Sequence, residues 1–61
     1  MTVEDIGLEA FEQVLWLAED SATTNFEMDF VSDMQERYDK WGTQMFVSER
    51  QWALLERIAD Q

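Results

Sequence analysis

The stretch TNFEMDFVSDMQERYDKWG, residues 24–42, decides the fold of this chain. Its first residue, Thr24, stands three positions before Glu27, which is the spacing of a capping box at the start of a helix. Its last residue, Gly42, occupies the place where glycine commonly ends a helix in the left-handed region. The stretch therefore predicts a helix over residues 25–41.

Apolar residues recur within this stretch at helical spacing, which predicts an amphipathic helix that buries one face. The predicted inner face consists of Phe26, Phe30, Val31, Met34, Tyr38 and Trp41. The predicted outer stripe consists of Asp29, Asp33, Glu36 and Lys40. The outer stripe offers two neutralising pairs, Asp33 with Arg37 and Glu36 with Lys40, each at a spacing of four residues.

Capping-box spacing occurs twice more, at Thr2 with Asp5 and at Ser48 with Gln51. We therefore expect three helices, over residues 3–19, 25–41 and 49–60. No segment alternates apolar and polar residues with the period of a strand. The predicted fold class is all-α: one domain over residues 1–61, a small three-helix bundle with antiparallel neighbours and short loops.

A chain of 61 residues has room for one small core, held by packing alone because there is no cysteine. The residues predicted to be buried are Phe11, Leu15, Phe30, Met34, Trp52 and Leu55. The link between the second and third helices contains Met45, Phe46 and Val47, which are apolar enough that we expect them to lie over the end of the core.

The composition argues against most chemistry. With neither cysteine nor histidine, the chain lacks the usual zinc ligands and an imidazole base, and exposed carboxylates lack the burial that separates the pKa values of an acid and a base. We expect no enzyme activity, metal site or cofactor. The acidic sign argues against direct binding to nucleic acid or to anionic membranes. With no signal peptide or membrane span in the sequence, we expect a cytoplasmic protein.

All of the net charge of −10 lies in the first 36 residues, which hold ten acids and no lysine or arginine. Those acids are Glu4, Asp5, Glu9, Glu12, Glu19, Asp20, Glu27, Asp29, Asp33 and Glu36. On two helices of about 25 Å they give one charge per ~2.5 Å, against one per ~1.7 Å along duplex DNA. Such an asymmetry draws in basic partners.

Two acidic trios follow helical spacing, Asp5 with Glu9 and Glu12, and Asp29 with Asp33 and Glu36. Each trio is expected to occupy one side of its helix. On the helical wheel Trp16 lies among these acids, with Glu9 and Glu12 on one side and Glu19 on the other. An exposed tryptophan is typical of an interface anchor, although packing over the nearby loop or within a homodimer explains it equally.

Two resemblances add to this interpretation. The stretch from Asp29 to Ala59, with the patterns FVxxMxxRxxxW and VSERQWALLERIA, resembles a short helical module of small phage and mobile-element proteins. In size, acidity and helical character the chain is also similar to anti-CRISPR proteins, several of which imitate DNA on the surveillance complex. That second likeness matches no sequence motif and assigns no residue a role.

The leading hypothesis is an anti-defence inhibitor that binds a basic, DNA-accepting surface of a host protein, such as a subunit of a CRISPR effector complex. The predicted partner-binding residues are Asp5, Glu9, Glu12, Trp16, Glu19, Asp20, Asp29, Asp33 and Glu36. A solvated acidic face that serves only solubility is the plain alternative. Two other functions remain open: a phage or plasmid adaptor that dimerises or docks on another helix, and a DNA mimic directed at another DNA-binding enzyme.

Overall fold

The computed structural model describes all residues from 1 to 61 and confirms the all-α class. The helices are α1 (Val3–Ile6), α2 (Leu8–Ser21), α3 (Asn25–Trp41) and α4 (Glu49–Ala59), and a 3-10 turn (Gly42–Gln44) follows α3. There is no β-strand, and the only β-type pairing is an isolated antiparallel bridge between Thr2 and Phe46. None of the helices combines the length and apolar character that crossing a bilayer requires.

All three predicted capping boxes form, and they account for where the helices begin. Each capping side chain accepts a hydrogen bond from a backbone N–H three residues later, at 3.0–3.2 Å in the three boxes. In return, the side chain at that later position accepts from the backbone N–H of the capping residue. These reciprocal bonds satisfy donors that the first turn of a helix otherwise leaves free.

The prediction of one helix over residues 3–19 is wrong, because the helix is interrupted at Gly7. Its backbone has φ +105° and ψ +125°, a conformation that residues with a Cβ rarely adopt. The four-residue helix α1 is held instead by a distant segment, since the Val3 N–H donates to the carbonyl of Met45 at 3.0 Å. Next to it, the N–H of Val47 donates to the carbonyl of Met1 at 2.6 Å.

Replacing Gly7 with alanine is expected to destabilise the protein by about 1–3 kcal/mol, because the backbone conformation is strained for any L-residue. An added Cβ has room, with the Cβ of Ala10 4.0 Å away, so the cost is conformational and not steric. Urea denaturation measures the change in free energy of unfolding. Ser32→Ala, on the exposed surface of α3, is the matched control and should change little. A more stable Gly7→Ala variant would contradict the break.

The core consists of ten buried residues from α1, α2, α3, α4 and the segment before α4. They are Val3, Phe11, Leu15, Ala18, Val31, Met34, Met45, Val47, Leu55 and Ile58. The predicted burial of Phe11, Leu15, Met34 and Leu55 is confirmed. Phe30 and Trp52 are only partly buried against the core, which corrects the prediction for these two. A core this small encloses few large rings, and Phe11 is its one fully buried aromatic residue.

The segment before α4 also differs from the prediction at one position. Met45 and Val47 are buried, as expected, but the side chain of Phe46 is 65% exposed. Residues 45–47 are extended through the bridge from Phe46 to Thr2, and successive side chains of an extended segment point to opposite sides. Phe46 therefore faces outward while its two neighbours face the core.

The inner face of α3 is narrower than predicted, because Phe26 and Trp41 are 65% and 56% exposed. At 100° per residue, Phe26 lies about 110° from the middle of the face formed by Val31, Met34 and Tyr38. Trp41 is the last residue of α3, where the chain turns at Gly42 with φ +57°. Both rings therefore remain at the surface.

α2 is the central helix of the packing and lies against both α3 and α4, whereas direct contact between α3 and α4 is slight. Phe11 of α2 joins the three long helices: its ring centroid is 5.2 Å from that of Tyr38 on α3 and 6.0 Å from that of Trp52 on α4. The molecule measures 28 × 19 × 18 Å, so most of each helix has a solvent-facing side.

Candidate acidic interaction surface

The nine predicted partner-binding residues, which we call the acidic surface, lie on α1, α2 and α3. Eight of them have exposed side chains, and Glu12 is half-buried. Trp16 is 61% exposed, which agrees with its predicted outward position. A shallow hollow of about 510 Å³ is lined by Trp16, Leu17, Glu19 and Asp20, so this tryptophan lies beside two of the predicted acids.

The helices position these residues in three groups. On α2, Glu9, Trp16 and Asp20 fall within about 40° of one another on the side away from Phe11, and Glu12 and Glu19 lie on the flank toward α3. On α3, the trio of Asp29, Asp33 and Glu36 occupies the side away from Val31. Asp5 lies apart on α1, so the predicted grouping of Asp5 with Glu9 and Glu12 on one helix is wrong.

Asp5 is engaged within the chain. Its carboxylate accepts a hydrogen bond from the Thr2 N–H at 2.9 Å as part of the first capping box. Hydrogen bonds from the Thr2 backbone and then from its side chain lower the pKa of Asp5 below the ordinary value. Asp5 therefore stabilises the start of α1 at neutral pH, and this contribution is lost as the pH falls through the lowered pKa.

Glu12 is also engaged, and this corrects its predicted place on a free acidic face. The Tyr38 hydroxyl donates a hydrogen bond to the Glu12 carboxylate, with 2.9 Å between Oη and Oε2. Burial first, then this hydrogen bond and the charges of Glu12 and Asp39, raise the pKa of Tyr38 above its ordinary value. Glu12 therefore links α2 to α3, which restricts its access to a partner.

Replacing Tyr38 with phenylalanine is expected to reduce the free energy of unfolding by about 1 kcal/mol at pH 7, because the bond to Glu12 is lost while the ring is kept. The raised pKa of Tyr38 means that its contribution is complete below the unfolded value near 10 and is lost as the pH rises through the folded value. Urea denaturation at pH 7 and pH 11 measures both effects. Equal loss of stability in wild type and Tyr38→Phe between these pH values would contradict the coupling.

On α3, one of the two predicted neutralising pairs forms. The Arg37 guanidinium lies 3.2 Å from the Asp33 carboxylate, with both side chains about half exposed, and this is the only salt bridge in the structure. The predicted pair of Glu36 with Lys40 is absent, and the Lys40 ammonium lies 5.3 Å from the ring centroid of Trp41. An exposed pair of this kind contributes about 0–1 kcal/mol.

Glu27 accepts more hydrogen bonds than its predicted capping bond with Thr24. Besides its capping bond to Thr24, its carboxylate accepts from the backbone and hydroxyl of Thr23 and from the Gln61 amide at 2.6 Å. The pKa of Glu27 is lowered, first by the hydrogen bond from the Thr23 backbone and then by the one from the Gln61 side chain. The Thr24 spacing signalled the cap, but nothing local indicated the contact with Gln61.

A second surface feature was missed from the sequence, a group of partly or largely exposed rings on one side of α3 and after it. We call Phe26, Phe30, Trp41 and Phe46 the aromatic edge. Trp41 and Phe46 line a hollow of about 350 Å³ together with Arg37, Gln44 and Met45. The helical angle of Phe26 and the strand-like alternation at Phe46 were the signals that pointed outward.

No group of three or more acidic side chains is arranged to hold a metal ion. Arg50 and Arg57 lie on one side of α4, where they line a hollow together with Ala53 and Leu54. Neither arginine forms an ion pair.

Comparison of the chain with protein-family models, with curated proteins and with solved structures finds no match.

Proposed function

We propose that this protein is an anti-defence inhibitor that binds a basic, DNA-accepting surface of a host protein by imitating DNA. The target class is a subunit of a CRISPR effector complex in the host cytoplasm, which agrees with the resemblance to anti-CRISPR proteins. The protein acts without catalysis, cofactor or metal, and it contacts neither nucleic acid nor membrane itself.

One observation carries this proposal. Five carboxylates of the acidic surface are exposed and form no hydrogen bond or salt bridge within the chain. They are Glu9, Glu19, Asp20, Asp29 and Glu36. Carboxylates that already have partners contribute less to binding, because those contacts must be broken or shared. Free ones on two neighbouring helices are available to the lysine and arginine side chains that normally hold phosphates.

The arrangement of the helices bears on how these charges are spread. We keep the antiparallel three-helix bundle as the detailed form of the all-α fold. Two contacts support it. Glu12 of α2 accepts a hydrogen bond from Tyr38 near the end of α3, and Glu19 lines a hollow together with Met28 near the start of α3. In this arrangement α2 and α3 lie side by side, and together they carry all five free carboxylates.

The experiment uses fluorescently labelled protein and a panel of purified CRISPR effector complexes, with anisotropy as the readout. We expect binding to one complex, competition by its unlabelled target duplex, and affinity that falls on the order of 100-fold between ~50 and ~200 mM salt. Binding that neither salt nor duplex weakens would overturn DNA mimicry.

Two alternatives keep specific support. The aromatic edge favours an adaptor module of a phage or plasmid that docks on another helix or forms a homodimer, and sedimentation of the protein alone tests this. A DNA mimic directed at a restriction nuclease, a repressor or a polymerase subunit uses the same acidic surface. Binding to one of those proteins, and to no CRISPR complex, would favour this second alternative.

A further inference from the structure

We propose that the aromatic edge is a docking surface for an arginine-rich segment of the partner protein. This inference rests on the proposed function in one respect, that the partner is basic, and it deepens that function by naming the contacts that hold the partner. The segment would run along α3 and place its cations over the rings and against the neighbouring carboxylates.

The first argument is exposure. Phe26, Trp41 and Phe46 are 65%, 56% and 65% exposed, and Phe30 is partly buried between them. On α3, Phe26, Phe30 and Trp41 fall within an arc of about 60°, together with Arg37. Large rings grouped on one side of a small protein mark an interaction surface rather than scattered surface residues.

The second argument is the charge beside the rings, which selects the occupant. Asp33, Asp29 and Glu36 lie about 50°, 90° and 110° around α3 from the middle of the edge. α3 alone carries five acids against two cations. Symmetric association of two copies through this side would bring these like charges together, on chains that each carry a net charge of −10. A basic segment meets complementary charge there instead.

The third argument is that this side of α3 already holds cations in both of the required ways. Arg37 is bound by the Asp33 carboxylate at 3.2 Å, and Lys40 lies over the Trp41 ring at 5.3 Å. Guanidinium groups stack on aromatic faces and pair with carboxylates in the same manner. A partner arginine would compete with Lys40 for the exposed Trp41 ring, and it would find Asp29 and Glu36 without partners.

The length of the edge sets the size of the segment. Phe26 and Trp41 are fifteen residues apart on α3, about 22 Å along its axis, which an extended segment of about seven residues spans. Nona-arginine is therefore a suitable probe. Its affinity for the full chain is measured by isothermal titration calorimetry at ~150 mM salt, where exposed charges alone are partly screened.

We expect Trp41→Leu to weaken nona-arginine binding about 5- to 10-fold, because leucine keeps an apolar side chain but removes the ring face. Trp41→Phe should restore affinity to within about twofold of wild type. Met28→Leu, on the side of α3 toward α2, is the matched control and should leave affinity unchanged. In proton–nitrogen spectra, the Trp41 indole signal should shift on titration while that of Trp52 stays in place.

Three results would overturn the inference. One is equal affinity in wild type and Trp41→Leu. A second is an indole shift confined to Trp16. The third is a homodimer in sedimentation that Phe46→Lys dissociates, since this would assign the edge to a second copy.

The two proposals fail separately. Loss of nona-arginine binding in Trp41→Leu, without competition between the protein and target duplex on any effector complex, would sustain the docking surface and remove DNA mimicry. Competition on an effector complex together with unchanged nona-arginine affinity in Trp41→Leu would sustain the mimicry and remove the docking surface.

Discussion

Replacing Phe11 with alanine is expected to unfold the protein. Phe11 is fully buried and is the only side chain whose ring contacts both an aromatic residue of α3, Tyr38, and one of α4, Trp52. Truncating a buried phenylalanine costs about 3–5 kcal/mol through lost burial and the cavity left behind. A domain this small, with no cysteine to form a disulfide, rarely has a stability above about 3–5 kcal/mol. The loss is therefore about as large as the whole stability.

Circular dichroism with thermal melting measures this outcome. Wild type should show a cooperative transition, and Phe11→Ala should lose it and much of its helical signal at 25 °C. Phe26→Ala is the matched control: the same substitution at a ring that is 65% exposed should change the stability by less than ~1 kcal/mol. A cooperative transition in Phe11→Ala near the wild-type midpoint would show that the core does not depend on this ring.

Reversing three charges of the acidic surface is expected to reduce binding to the effector complex at least ~100-fold, if the protein acts as a DNA mimic. The variant combines Glu9→Lys, Asp29→Lys and Glu36→Lys, at positions that are exposed and make no bond within the chain. Each change replaces an attraction to the basic groove with a repulsion. The readout is the anisotropy titration of labelled protein against the complex.

The control variant carries Glu49→Lys, Glu56→Lys and Asp60→Lys. These positions are also exposed, lie in and just after α4, and change the net charge by the same amount. Its affinity should stay within a few-fold of wild type if the location of the charge decides binding. Equal weakening by both variants would mean that total charge alone attracts the partner, and the acidic surface would then be only a solvated face.

The parts of the fold that could be predicted are those encoded by neighbouring residues. A capping box uses two side chains three positions apart, so Thr24 with Glu27 and Ser48 with Gln51 were visible in the sequence, and the starts of α3 and α4 followed. The break at Gly7 was not visible. A single glycine is tolerated within a helix, and the pairing that favours the break joins Val3 to Met45, far along the chain.

The positions of the large rings show a second limit. Periodicity indicates which side of a helix is apolar, but it does not indicate how much of that side other helices cover. Phe30 and Trp41 belong to the apolar side of α3, yet Phe30 is only partly buried and Trp41 is exposed, while Phe11 on α2 is fully enclosed. Coverage depends on which helix lies in the middle, and the sequence did not reveal that α2 would occupy this place.

The sequence predicted on which side of each helix the acids of the candidate site lie, but not which of them form hydrogen bonds within the chain. Spacing placed Asp29, Asp33 and Glu36 on one side of α3, and the helix agrees with this. The engagement of Glu12 by Tyr38 joins residues 26 positions apart on different helices, so no local pattern indicated it. Which carboxylates are free is therefore a property of the packed structure.

The pairing of residues 1–3 with residues 45–47 has a consequence for the order of folding. These contacts close a loop of more than 40 residues, and closing a long loop costs chain entropy that only many later contacts offset. Helices stabilised by their own capping boxes form within microseconds, whereas non-local pairing slows the final step. The amide of Val47 consequently reports on completion of the native state, and its exchange with deuterated solvent should begin only when the two ends of the loop separate.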